Sequence, residues 1–122
     1  MVMSIKVLGG ASAIAYLNSK NKQSEALITK AMSDIGLHME GEVKSSVAGG
    51  KAEPASVDTG RFLNSVQNKS NKVSATIFSE IPYANFLEYG TSKLNARRHF
   101  RNSLSRNKDK INQVVSNVLK AL

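Results

Sequence analysis

Ser24–Val47 reads SEALITKAMSDIGLHMEGEVKSSV. Ile28, Met32, Ile35, Met39, Val43 and Val47 recur at spacings of three or four, which places them on one face of a helix. Leu27, Ala31 and His38 flank that stripe. Gly36 and Gly41 each cost about 1 kcal/mol relative to Ala in a helix interior, and such positions mark close packing. His38, at the edge of an apolar stripe, reads as a structural histidine with its polar needs met rather than a catalyst. A helix of this kind needs a surface to bury its stripe, and the rest of the chain is read for that surface.

A second amphipathic helix is expected from His99 to Ala121. Its apolar face is Phe100, Leu104, Ile111, Val115, Val118 and Leu122, with Val114 and Leu119 beside it. Between the two helices, Val73, Ala75, Ile77 and Ser79 alternate with Ser74, Thr76 and Phe78 in a β-branched run, the mark of a strand. Asn68–Asn71 is a polar turn. Phe62, Leu63 and Val66 supply apolar positions to either a short helical turn or a strand start, so a hairpin is placed at about Leu63–Ser79. Pro82 suits a first helical turn and Gly90 a helix stop, which predicts a short helix at about 82–89. Residues 2–8 (VMSIKVL) read as a short strand or a disordered start, Ala11–Leu17 as a short helix, and Asn18–Ser24 as a connector. Gly49–Val57, with Pro54 in its middle, is a loop by composition. The fold expected is α+β: a long N-terminal and a C-terminal helix packed on a small antiparallel sheet. It is a single domain over 1–122, with 1–23 a flexible N-terminal segment and 49–57 a mobile loop.

The 122 residues suit one modest core. There is no cysteine, which excludes disulfides, thiolate nucleophiles and Cys-based metal sites. No run of about 18 apolar residues is present to span a membrane. Val7–Leu17 imitates a signal-peptide core only loosely, and the reading preferred is a cytoplasmic product. Charge is uneven. Residues 1–92 hold nine Lys/Arg and eight Asp/Glu, net +1, whereas 93–122 hold eight Lys/Arg and Asp109 alone, net +7. A block of Lys93, Arg97, Arg98, Arg101, Arg106, Lys108 and Lys110 favours a polyanion or an acidic protein face, or else is a solvated helix face.

Catalytic patterns are weak. Asp58-Thr59-Gly60 matches the aspartic-protease tripeptide, but the strongly apolar strands and mostly β chain that go with it are missing. Asp58 instead suits a capping role, and Gly60 a turn conformation. Gly49-Gly50-Lys51 lacks phosphate-loop spacing. Glu40 and Glu42, at i and i+2, point apart on a helix. No enzyme and no cofactor are expected. Ile81–Thr91 gathers three of the seven aromatics, Tyr83, Phe86 and Tyr89, and leads into Ala96-Arg97-Arg98-His99-Phe100. On physical grounds it is a corner of the core, with a nucleic-acid stacking surface as the alternative.

Three segments together resemble a known family. Val57-Asp58-Thr59-Gly60-Arg61-Phe62-Leu63-Asn64-Ser65-Val66 is similar to its DTG-x-L-x-x-S-[IV] element. Pro82-Tyr83-Ala84-Asn85-Phe86-Leu87-Glu88-Tyr89-Gly90-Thr91 is similar to its P-Y-A-x-[YF]-[VL]-E-[FY]-G-T element, and Ala96–Phe100 to the element before its final helix. The family is the head–tail joining, or tail-completion, neck proteins of long-tailed bacteriophages. Lys44 and Pro54 match the end of its N-terminal helix and its Pro-containing loop. Arg98-His99 departs from the Pro usually found before the Phe, which bears on the shape of the last loop.

The resemblance implies a structural virion protein, assembled in the host bacterial cytoplasm. It would join the DNA-filled head to the tail as part of a ring of six or twelve copies. Its partners would be other copies of itself, the connector or head-closure protein, and the tail terminator or tail tube. Weak, salt-sensitive contact between the basic block and packaged DNA is expected, with no membrane partner. Tyr83, Phe86, Leu87 and Tyr89 are expected to fix the central corner of the fold and part of a subunit contact. The rival function is a small basic nucleic-acid-binding protein; a hydrolase using Asp58 ranks below it.

Overall fold

A computed structural model describes residues 3–8, 22–56, 60–71 and 74–121. Among the described residues seven elements follow one another: β1 (Met3–Leu8), α1 (Lys22–Val47), α2 (Arg61–Ser65), β2 (Gln67–Ser70), β3 (Ser74–Ser79), α3 (Ala84–Tyr89) and α4 (His99–Ala121). The fold is α+β. The short helix expected at Ala11–Leu17, the residues Asp58, Thr59 and Val73, and Leu122 lie outside the described residues.

The stripe read from α1 is the floor of the core. Ile28, Met32, Ile35, Met39, Val43 and Val47 are all buried. Each such side chain contributes about 1.5–3 kcal/mol when fully removed from water. From Met32 onward they pack with Phe62 and Val66, with Ala75 and Ile77 of β3, with Ala84, and with Phe100 and Ile111 of α4. Leu104, Val114 and Val115 pack against the edge of this cluster. α1 and α4 run antiparallel: Ser46 meets His99 near one end of the contact, and His38 meets Asn107 two turns away.

The sheet has the order β1-β3-β2, all antiparallel. β3 is central, and from Ala75 on the alternation read from it holds: Ala75, Ile77 and Ser79 are buried, Thr76 and Phe78 only partly, while Ser74 beside the turn is buried as well. α1 packs across β2 and β3, and α4 reaches β1. Gly36 lets α1 approach β2, because a Cβ there would stand 2.9 Å from Asn68 Oδ1. Around Gly41 the space is open. The β2–β3 turn is held by Asn71, whose Oδ1 accepts from the backbone N–H and hydroxyl of Ser74.

Three expectations are corrected. Asn68, Lys69 and Ser70, read as part of a polar turn, pair with Ile77, Thr76 and Ala75 in β2, and the turn begins at Asn71. The hairpin begins at Gln67, not Leu63, because Gly60 (φ 81°) starts a helix that carries Phe62 and Leu63. The left-handed conformation at Gly60 sets the chain into a helical turn, and other residues adopt it reluctantly. Ser65 then ties this turn to the sheet: it donates to Phe62 O (2.6 Å), and its hydroxyl lies 2.7 Å from that of Ser79. Within the N-terminal segment read as flexible, residues 3–8 form β1, paired from Met3↔Ser79 to Leu8↔Ser74.

Candidate functional site

The aromatic tract folds as a rigid mount with an exposed ridge. Helix α3 is only six residues long, so one face alone reaches the core. Ala84 and Glu88 are buried on that face, and Leu87 is partly buried. Phe86 (56% exposed) and Tyr89 (69%), three residues apart, point outward together. Tyr83 is intermediate: 38% exposed, its ring meets Phe62 edge-on at 6.0 Å. Phe62 in turn contacts the rings of His99 and Phe100. The expected core corner therefore exists, but Phe62, His99 and Phe100 build it. Phe86 and Tyr89, read as part of it, face solvent.

The mount is fastened through Glu88. Helix α4 opens at Arg98, a non-glycine residue with φ 51°, which offers no capping oxygen of its own. The Glu88 carboxylate supplies it: Oε1 accepts from Phe100 N–H (2.9 Å) and Oε2 from Arg101 N–H (3.0 Å). A negative group at a helix N-terminus satisfies orphan donors and opposes the positive end of the helix dipole. Gly90 (φ 79°, ψ 175°) lies in a backbone region that is essentially glycine-only, and a Cβ there would stand 2.7 Å from Leu94 O and Ala96 N. Thr91 closes the turn that follows, its Oγ1 accepting from the N–H groups of Lys93 and Leu94. The chain then returns, and Arg97 N–H donates to Leu87 O at 2.7 Å.

A second cluster, not foreseen from the sequence, joins the 49–57 loop to both long helices. Glu53 is buried in it. Arg106 donates to both its oxygens (2.7 and 2.8 Å), Ser46 to Oε1 (2.5 Å) and Asn102 to Oε2 (3.3 Å). The Arg106 hydrogen bonds hold the Glu53 carboxyl at about 2, against the opposing effect of burial. Since Ser46 donates to Glu53, it accepts from His99 Nδ1–H at 2.7 Å. His99 Nε2 is then the acceptor for Ser56 Oγ–H, also at 2.7 Å, and Ser56 accepts from Arg97. Every proton has a place with His99 neutral. Burial, opposed by the charge of Glu53, lowers the His99 pKa to about 4.

The connectivity Ser56–His99–Ser46–Glu53 imitates a nucleophile, a base and a carboxylate orienter. Its chemistry is that of a clasp. His99 is fully buried and only weakly basic, and the Ser56 oxygen is already engaged by the Arg97 guanidinium. The loop read as mobile thus has an anchor in its middle, and Ser56 N–H also bonds Val47 O at 2.7 Å.

The basic block divides accordingly. Arg106 is engaged by Glu53, and Arg97 by Ala55 O and Ser56. Lys93, Arg98, Arg101, Lys108 and Lys110 are exposed. Arg101 and Lys108, two turns apart, share a side of α4, and Lys110 lies opposite. Of the remaining motif residues, Pro82 and Thr91 are exposed, Gly60, Leu63, Ser65 and Gly90 partly buried, and Phe100 fully buried.

Lys110 borders a cleft of about 260 Å³ between α1 and α4, lined also by Asp34, Ile35, His38, Ile111 and Val114. His38, read as structural, donates to Asn107 Oδ1 (2.9 Å) and lies 3.7 Å from Glu42. Among the described residues no group of three or more His, Asp or Glu side chains is arranged to hold a metal ion, and no helix is long and apolar enough to cross a membrane. Comparison with protein-family models, with curated proteins and with solved structures finds no match to this chain.

Proposed function

We propose that this chain is a structural subunit of a bacteriophage neck, part of an oligomeric ring that joins the DNA-filled head to the tail. The reading starts from the ordered resemblance of three segments to the head–tail joining family. The observation that carries it further is the ridge. Phe86 and Tyr89 stand in solvent on a helix held by Glu88, Gly90 and the Phe62 corner. Exposed aromatics on a preorganised support suit binding a protein face, since little side-chain or backbone freedom remains to be lost. Its partners are other copies of the chain, the connector or head-closure protein, and the tail terminator or tube. The function requires no cofactor and no catalytic step, and its place is the neck of the virion.

The test is electron microscopy of particles from the source phage with this gene disrupted. DNA-filled heads separate from finished tails support the joining role; normal, fully tailed infectious particles refute it. In a complementing copy, Tyr89→Ala should lower particle yield while leaving the thermal midpoint of the purified chain nearly unchanged.

One observation favours the rival nucleic-acid reading: Lys93, Arg98 and Arg101 are exposed in or beside the segment that carries the ridge, a combination that suits stacking on bases. Titration with single- and double-stranded DNA at physiological salt separates the two. Sub-micromolar binding with a sequence preference favours the rival. Weak binding that fades steeply with salt fits a neck protein brushing passing DNA.

A further inference from the structure

We propose that the cleft between α1 and α4 receives the Phe86–Tyr89 ridge of a second copy of this chain. The inference rests on the ring reading above and names the contact that would build the ring.

The two surfaces lie at different heights on one rod, the ridge at the start of α4 and the cleft at its middle. The ridge is fixed to the start of α4, where Glu88 caps Phe100 and Arg101. The cleft is bordered by Lys110, Ile111 and Val114, and Ile111 is about 18 Å further along the same helix. A ridge therefore does not reach the cleft of its own chain without dismantling the mount. A contact between unlike patches is heterologous, so each subunit uses one patch on each of two neighbours, and the series closes into a ring if the rotation between neighbours permits.

Size and charge agree with this occupant. An apolar cavity of about 150 Å³ accommodates a benzene ring, and the cleft offers about 260 Å³ over a floor of Ile35, Ile111 and Val114. At the lining of the cleft Asp34 is exposed and forms no ion pair among the described residues. The ridge segment brings Lys93, Arg98 and Arg101, whose side chains likewise meet no carboxylate among the described residues. Asp34 stands on the α1 wall and Lys110 on the α4 wall, so the arriving cations pair with the α1 side and are repelled from the other, which fixes the direction of entry. Lys110, also lining the cleft, meets the face of an entering ring as a cation–π partner. His38 is held by Asn107 and Glu42 and so stays on the wall.

The chain has no cysteine, so introduced thiols report without background. Ser92→Cys, beside the ridge segment, and Gln113→Cys, one turn from Lys110, are both at exposed positions and leave Phe86, Tyr89 and Lys110 in place. The two variants are mixed at concentrations where sedimentation shows the wild type to assemble, then treated with a short bis-maleimide. The expected result is a cross-linked dimer in the mixture and none from either variant alone. The double variant should give a ladder ending at the copy number of the ring. Phe86→Ser should raise the concentration for half-assembly by about tenfold or more, with an unchanged thermal midpoint. Oligomers that form without this cross-link, or in which Ser92→Cys pairs with itself, overturn the contact and leave the ring reading standing. A wild type that stays monomeric at every concentration up to about millimolar, where even weak association near −4 kcal/mol would register, overturns the contact and the self-assembling ring together.

Discussion

Replacing Glu53 by Gln keeps the shape of the clasp and removes its charge. In the fold the Arg106 hydrogen bonds hold this carboxyl at about 2, against an ordinary 4.5. Linkage converts that difference into about 3 kcal/mol of stability at neutral pH. Arg106 is one-third exposed, and solvent screening trims the figure to about 2 kcal/mol. The sign follows from which state binds the proton. Below about pH 4.5 the unfolded chain protonates Glu53 while the fold keeps it ionised, so stability is lost as pH falls toward 2. Glu53→Gln should therefore cost about 2 kcal/mol at pH 7, read as a lower urea midpoint at unchanged slope. By pH 3.5 the wild type has given up about 1 kcal/mol of this advantage, and the gap should narrow by about half. Because the Glu53 charge also raises His99, the pH limb is compared in a His99→Gln background; there a gap constant from pH 7 to 3.5, or no gap at pH 7, would refute the charged clasp.

His99 acts in the window above. Burial holds its pKa near 4 against 6.5, so the unfolded chain takes up a proton that the fold refuses. Urea midpoints of the wild type should fall between pH 6.5 and 4 by the equivalent of up to about 3 kcal/mol, and His99→Gln should flatten that limb. Gly41→Ala should stabilise by about 0.5–1 kcal/mol because nothing lies within 4 Å of a Cβ there, whereas Gly36→Ala should fall short of that gain because its Cβ displaces the Asn68 side chain; thermal melts should rank Gly41→Ala above Gly36→Ala. Glu88→Gln leaves one of two capping bonds and no charge, for an expected loss of about 1–2 kcal/mol in denaturant titration; no loss would remove Glu88 as the cap of α4.

Both long helices were legible because their burial is periodic: every apolar residue of the α1 stripe is inside. The alternation of β3 was legible for the same reason, since a central strand with one face on a helix shows its period directly. Where the hairpin begins was not. Phe62, Leu63 and Val66 fit a helical turn or a strand, and the decision rests on the backbone of Gly60, which composition does not display. β1 was ambiguous because its partner lies far away in the chain. The clasp was illegible for a different reason. Ser46, Glu53 and His99 are scattered polar residues, and pattern reading assigns such residues to solvent by default. One signal was available at the other site. Arg98 stands where α4 needs a capping oxygen, so a carboxylate from elsewhere had to supply it, and the motif residue Glu88 does.

The pairing of β1 has a consequence for the order of folding. β2 and β3 are joined by a turn of a few residues, so their ladder closes early and at little entropic cost. β1 binds the opposite edge of β3 across roughly 70 positions of chain. Such a long closure is rewarded only once α1 and β3 have already met, which makes β1 the strand that arrives last and leaves first. Until it docks, the free edge of β3 is a template open to any matching strand, including the β1 of another nascent copy. Under the ring reading proposed above, folding and assembly compete for the same edge, and the faster of the two decides whether subunits meet as finished parts or exchange strands.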